Sequence, residues 1–301
     1  MVKNVAYCLT GRAAGGGILV GRYMIDYEKK KKYPADVIKI IRNHLQKHVI
    51  KPNSDINIDI YIYNNDITLK DDIVNLLKPK DYIIEKQNLR DCYPYENLPM
   101  PTQGGRVQCM HHFINVYQIK KVLELVEKSN IKYDFIYEGR LDTVWLTDFK
   151  FSDYDNQFIY TGKYPNYPQK FNDDIRTIDE NYKKKHKNRS GYLNLTGWFA
   201  FGNYDLMLEF KNFHKYKGTH NRDDNNACTL VYNYFKKRNK ESLIKLTKYL
   251  GRDYDFVKKL YCKQECIDDR EAAHQKDWKR WIESKLCYSE KYLKNTYFDI
   301  N

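Results

Sequence analysis

No apolar run in this chain approaches the ~20 residues that a membrane-spanning helix needs, and its Gly-rich start lacks the hydrophobic stretch of a signal peptide. Cysteine is scarce and odd in number, seven residues spread over nearly the whole length, which argues against a disulfide scaffold and for a reducing compartment. Together these absences imply a soluble, cytoplasmic protein, in which the sequons at Asn188 and Asn194 never meet the secretory glycosylation machinery. Ala, Gly and Pro are used little beside Lys, Asn and Ile, the bias of an AT-rich genome. There is no internal repeat, no zinc-finger spacing and no uninterrupted basic helix, so nothing supports a solenoid or a dedicated DNA reader.

Tyrosine and positive charge are what the chain has in plenty. The 28 Tyr side chains offer apolar faces with polar tips, which suit sugars and nucleobases as well as ordinary cores. Lys and Arg total 52 against 39 acidic residues, a formal charge of +13 that attracts phosphates, acidic glycans, nucleic acid or anionic membrane without choosing among them. The Lys-rich runs Lys29 to Lys32, Lys183 to Lys187 and Lys236 to Arg238 are short and scattered, as solvated turns and helix faces are.

Hydrophobic periodicity predicts an α/β fold. Asn4 to Leu9 reads as a short buried strand running into Thr10-Gly11-Arg12 and the glycines at 15 to 17. Val37 to His48 has near-helical apolar spacing, and Ile56 to Tyr63 alternates as a strand does. Asp71 to Leu77 reads as a short helix and Tyr82 to Glu85 as a short strand. After a Pro- and Gly-containing loop, Cys92 to Gly105, an amphipathic helix covers Gln108 to Ser129 and leads into a central strand at Tyr133 to Tyr137. This order implies a mostly parallel sheet covered by helices. Phe151 to Arg189 reads as a polar, irregular insertion. Order returns at Leu193 to Gly202, with helices expected over Tyr204 to Phe213, Asn226 to Lys237, Asp253 to Tyr261 and Asp269 to Leu286. The division is 1–150 for a ligand-binding half, 151–250 for the insertion and acceptor side, and 251–301 for a helical C-terminal part, all one catalytic unit.

The chemistry concentrates in Tyr133 to Trp145, where an apolar strand ends in charges, as at the carboxyl edge of an open α/β sheet. Glu138, Arg140 and Asp142 alternate, so a strand that persists projects all three from one face. Carboxylate oxygens suit Mg²⁺ or Mn²⁺ and Arg forks onto phosphate, so a metal-bound diphosphate matches the set; an ion-paired strand end satisfies the same spacing. The run YDFIYEGRLDTVW after a long helix resembles the signature of a group of glycosyltransferases, frequent in viruses and bacteria, in which Tyr-Asp-x-Val-Ile-x-x-Arg-Pro-Asp follows a helix. Leu141 stands where that family prefers Pro, and Glu138 where it often has Arg. Val5 to Arg12 looks like the family's opening strand, and Leu195 to Met207 is similar to its later strand and Gly-helix step beside the acceptor pocket. The resemblance implies a GT-A fold, a nucleotide-sugar donor, a glycan or other hydroxyl acceptor and a Mn²⁺ or Mg²⁺ ion. It also implies a metal-ligand role for Asp142, nucleotide-sugar contacts from Thr10, Gly11, Arg12 and Arg140, and the host-cell cytoplasm as the site of action if the gene is viral; Glu138 joins the nucleotide-sugar set from its alternation with Arg140 and Asp142 alone, and the missing DNA-reader features leave no specific nucleic-acid partner expected.

The glycine-rich opening matches neither a P-loop, since Arg22-Tyr23 follows Gly21 where Lys-Ser/Thr is required, nor the G-x-G-x-x-G fingerprint. It reads either as a nucleotide contact or as a structural turn. His220 to Asn226 offers Asp223 and Asp224 as bases for an acceptor hydroxyl; a helix cap from Asp224 or Asn225 is the plainer reading. Cys109, His111 and His112, like Cys262, Cys266 and His274, lack a strong zinc spacing. Trp278 and Trp281 read as helix packing. The rivals to a glycosyltransferase are a nucleic-acid-binding or processing protein, drawn from the charge, and a catalytically inactive glycan-binding relative.

Overall fold

The fold comes from a computed structural model that describes residues 2–11, 18–20, 23–25, 33–86, 89–92, 106–162, 196–215, 234–247 and 254–256. Strand β1 (Asn4–Thr10) is buried from Val5 to Thr10, the mark of a strand covered on both faces. A small antiparallel pair follows, β2 (Ile18–Val20) with β3 (Tyr23–Ile25). Helix α1 (Tyr33–Leu45) runs on through a π-helical turn, Gln46–Ile50, into a 3₁₀ turn, Lys51–Asn53. Strand β4 (Asn57–Asn64), helix α2 (Lys70–Leu77), strand β5 (Asp81–Ile84) and the short helix α3 (Leu89–Cys92) come next. The long helix α4 (Arg106–Lys128) delivers the chain to β6 (Phe135–Arg140) and, after a two-residue turn, to β7 (Thr143–Trp145). The remaining elements are β8 (Ile159–Gly162), β9 (Thr196–Asn203), α5 (Tyr204–Leu208) with a 3₁₀ continuation to Lys215, β10 (Ile244–Leu246) and β11 (Tyr254–Phe256).

Seven strands form one sheet in the order β10-β8-β9-β6-β1-β4-β5. Strand β1 pairs in parallel with β4 and β6, β4 with β5, and β10 with β8. Because β9 is antiparallel to both β6 and β8, it alone opposes the other six. The close β8–β9 approach depends on Gly202, where a Cβ would lie 2.2 Å from the Phe158 carbonyl oxygen.

Helices cover both faces of the sheet. On one face Ile38 and Ile41 of α1 and Ile73 and Leu77 of α2 share a core with Val5, Tyr7, Leu9 and Tyr137. On the other, Val116, Val122 and Leu123 of α4 pack with Met207, Phe210 and Phe213 against Ala6, Cys8, Tyr61 and Ile136. Burying a large apolar side chain stabilises the fold by ~1.5–3 kcal/mol, so these two cores are what fix the sheet. At the centre of the first, Tyr7 stacks on Tyr137 with ring centroids 4.1 Å apart, and Trp145 Nε1 donates to the Tyr7 hydroxyl at 3.2 Å.

The α/β class and the mostly parallel sheet agree with the expectation from periodicity, and several details differ. Residues 159–162, expected within an irregular insertion, form β8 inside the sheet, because Ile159 and Tyr160 are buried there. The helix expected over Tyr204 to Phe213 tightens to 3₁₀ after Leu208. Tyr254–Phe256, expected to be helical, is a strand paired with β7. Of the helix expected over Asn226 to Lys237, residues 234–236 are helical and 226–233 lie outside the described residues, as does the helix expected at Asp269 to Leu286. Among the described residues no helix is long and apolar enough to cross a membrane.

Candidate functional site

From β1 the chain steps outward to β4 and β5, then returns through α4 to place β6 on the other side of β1. Strand order therefore reverses between β1 and β6, and in open α/β sheets the carboxyl ends flanking such a reversal open the crevice that takes ligands. Here those ends are Thr10-Gly11 and Glu138-Gly139-Arg140, with Thr10 in register with Arg140. Leu141 N–H donates to the Thr10 carbonyl at 2.7 Å, carrying the pairing one residue past β6.

Glu138 lies one step inside the edge, opposite Cys8 and 6% exposed. The Thr10 hydroxyl donates to its Oε1 at 2.9 Å. Burial pushes the Glu138 carboxyl up to about 7, against the lowering effects of the Thr10 hydrogen bond and the Arg140 charge. Burial, with Glu138 adding to it, likewise pushes the Cys8 thiol up, which makes Cys8 an inert packing group.

Strand β6 ends at Arg140, so the three alternating charges do not all project from one extended strand. Leu141 and Asp142 form a turn, and Leu141 is drawn fully into the α1-side core. Arg140 reaches across that turn with a two-pronged contact, Nε to Asp142 Oδ1 and Nη2 to Oδ2, each 2.8 Å. The Asp142 side chain is 3% exposed and that of Arg140 39%, so a sunken carboxylate carries an outward cation. The corner is braced from behind. His44 Nδ1 donates to the Trp145 carbonyl at 2.9 Å, and Asn53 bonds the carbonyls of Val49 and Phe149 and the N–H of Phe151. Burial lowers His44 to about 4, so near neutral pH its ring is uncharged.

A hard dication needs oxygen ligands free to turn toward it. Both Asp142 oxygens already accept from Arg140, Glu138 is buried and bonded to Thr10, and among the described residues no three His, Cys, Asp or Glu side chains converge as a ligand set. The donor chemistry suits Mn²⁺ or Mg²⁺, but in this arrangement the residues do not fit one.

Thr10, Gly11, Glu138, Arg140 and Asp142 thus come together, whereas Arg12, Asp223 and Asp224 lie outside the described residues, as do the side chains of Cys109, His111 and His112 and the whole of Cys262, Cys266 and His274. Three residues of this edge were not singled out from the sequence. Asn64, fully buried at the end of β4, donates from Nδ2 to the Gly11 carbonyl at 2.7 Å and steadies Gly11 at φ +90°. Gln118, a buried polar residue on the apolar side of α4, places Oε1 3.8 Å from where a Gly11 Cβ would stand. Thr143 is 7% exposed and its hydroxyl has no hydrogen-bond partner. A polar residue ending an apolar strand, or interrupting an apolar helix stripe, is the signal that marks the first two. No protein-family model matches the chain, and no curated protein matches it.

Proposed function

We propose that the chain is a GT-A-type glycosyltransferase that moves a monosaccharide from a nucleoside-diphosphate sugar to a hydroxyl of a glycan or other acceptor, in the cytoplasm. The observation that carries this reading is the convergence of Thr10, Gly11, Glu138, Arg140 and Asp142 at the strand-order reversal of a mostly parallel sheet. In the reaction the bond between the sugar's anomeric carbon and the diphosphate breaks, the acceptor oxygen bonds to that carbon, and its proton passes to a base. Arg140 meets the negative charge that grows on the departing diphosphate, a form of assistance that is largest in a partly dry site. Glu138, uncharged below about pH 7, keeps a second negative charge away from the phosphates. Thr10 and Gly11 line the nucleotide side, and Arg12 adds charge there. Asp223 or Asp224 is the candidate base, a role that contributes ~10²–10⁴-fold.

A panel of nucleotide sugars in thermal-shift format, with and without Mn²⁺, tests this. A specific donor at about 100 times its Kd stabilises the native state by ~2.7 kcal/mol, and the same donor should be turned over with release of nucleoside diphosphate. Failure of every donor to stabilise the protein would sink the proposal. The closed Arg140–Asp142 contact favours one second reading, an inactive relative that binds a donor and never hydrolyses it.

A further inference from the structure

Arg140 and Asp142 are unequal partners. The Asp142 side chain is 3% exposed and that of Arg140 39%, so the anion lies inside the protein and the cation faces outward at the carboxyl edge of the sheet. We infer that Asp142 is a positioning residue rather than a metal ligand: it holds Arg140 as a fixed cation, and the chain takes up a diphosphate without a divalent ion. This rests on the nucleotide-sugar reading of the site and names where its positive charge comes from.

The donor atoms argue for it. Both Asp142 oxygens accept charge-assisted bonds at 2.8 Å, and a dication approaching either one would have to break such a bond beside the guanidinium charge. Glu138, two residues before Arg140, is buried and accepts from the Thr10 hydroxyl at 2.9 Å. The guanidinium, by contrast, is more than a third exposed, and its planar geometry suits phosphate oxygens as well as a carboxylate. Its footing is fixed from two sides. Leu141, between the partners, is fully buried in the α1-side core, and its N–H donates to the Thr10 carbonyl at 2.7 Å, which ties the pair to the end of β1. Behind the turn, His44 donates to the Trp145 carbonyl at 2.9 Å. A cation already immobilised loses little freedom when its ligand arrives, and it needs no rearrangement as charge grows on a departing diphosphate. With the carboxylate sunk behind the guanidinium, a diphosphate meets the positive end of the pair first.

Inorganic pyrophosphate, titrated calorimetrically into the full chain, tests this without knowledge of the base or the sugar. Wild type should bind it in EDTA with an affinity within about threefold of that in millimolar Mg²⁺. Arg140→Gln should weaken that binding ~10-fold or more, the order expected when a charge-assisted contact is lost. Because this change leaves Asp142 buried without its partner, the double variant Arg140→Gln/Asp142→Asn, which removes both charges, should show the same loss if the single variant fails to fold. Asp142→Asn alone keeps the cation and loosens it. With a donor sugar and EDTA present, it should lower kcat far more than it raises KM, since a loosened Arg140 still attracts phosphates but no longer meets the charge that develops on them. Pyrophosphate binding that requires Mg²⁺, that survives the loss of Arg140, or that is missing from both buffers overturns the inference, as does an unchanged kcat in Asp142→Asn; each of these leaves the glycosyltransferase reading standing if a nucleotide sugar is turned over. If no nucleotide sugar binds or reacts, that reading itself fails and takes the positioning role with it.

Discussion

Glu138 gives the site a pH signature that can be measured without knowing the substrate. Its carboxyl is held near 7 in the folded chain against an ordinary 4.5, so between those values the native state keeps a proton that the unfolded chain has released. Stability is therefore greatest below about pH 4.5 as far as this group is concerned, falls as pH rises toward 7, and is level above. At ~1.36 kcal/mol for each pH unit, the gap is worth about 3 kcal/mol. Glu138→Gln keeps an oxygen to accept from Thr10 and cannot ionise. Unfolding in urea, followed by Trp fluorescence at about pH 4.5 and about pH 8 for both proteins, isolates the effect, since every other titrating group is common to the two. The wild type should lose about 3 kcal/mol relative to the Gln variant across that interval. Parallel pH profiles, within about 0.5 kcal/mol, would refute the assignment of a buried, proton-retaining carboxyl.

Two further outcomes follow from named contacts. Asp142→Asn removes the anchor of the Arg140 fork while keeping its shape, and should lower sugar transfer ~100-fold or more with the unfolding midpoint little changed; wild-type turnover in a steady-state assay would contradict the role given to this residue. Gly202→Ala would place a Cβ 2.2 Å from the Phe158 carbonyl and 2.7 Å from Ile159 Cα, both backbone atoms, and should destabilise by roughly 1–3 kcal/mol or more in the same urea experiment.

What the sequence made legible depended on which residues carry their own pattern. The long helix and the central strand expected at Tyr133 to Tyr137 are readable because α4 repeats apolar residues at three- and four-residue steps and β6 opens on Phe135-Ile136-Tyr137, although the strand starts two residues later than expected and runs on through Glu138 and Gly139 to Arg140. The alternation of Ile56 to Tyr63 identifies a strand, but it implies one buried face; Tyr61 and Tyr63 are as buried as Ile60 and Ile62, because α4 covers the side the tyrosines take. Strands β8 and β10 are four and three residues long, too short for a periodic signal, and their sheet position comes from partners far along the chain. At the site, spacing located Arg140 and Asp142 without giving their relation. That relation is set by Leu141, whose burial turns the backbone and brings the two side chains together.

The single reversed strand has a consequence for how the chain is made. Strand β9 wedges between β6 and β8, yet it leaves the ribosome after both. Until residue 203 emerges, β6 presents an unpaired row of amides and carbonyls, and β8 has no neighbour on that side. With synthesis at about 5–20 residues per second, the ~63 residues that separate the end of β6 from the end of β9 keep that border open for roughly 3–13 seconds. A nascent chain stalled before residue 196 would therefore carry a sticky flank that the finished protein conceals.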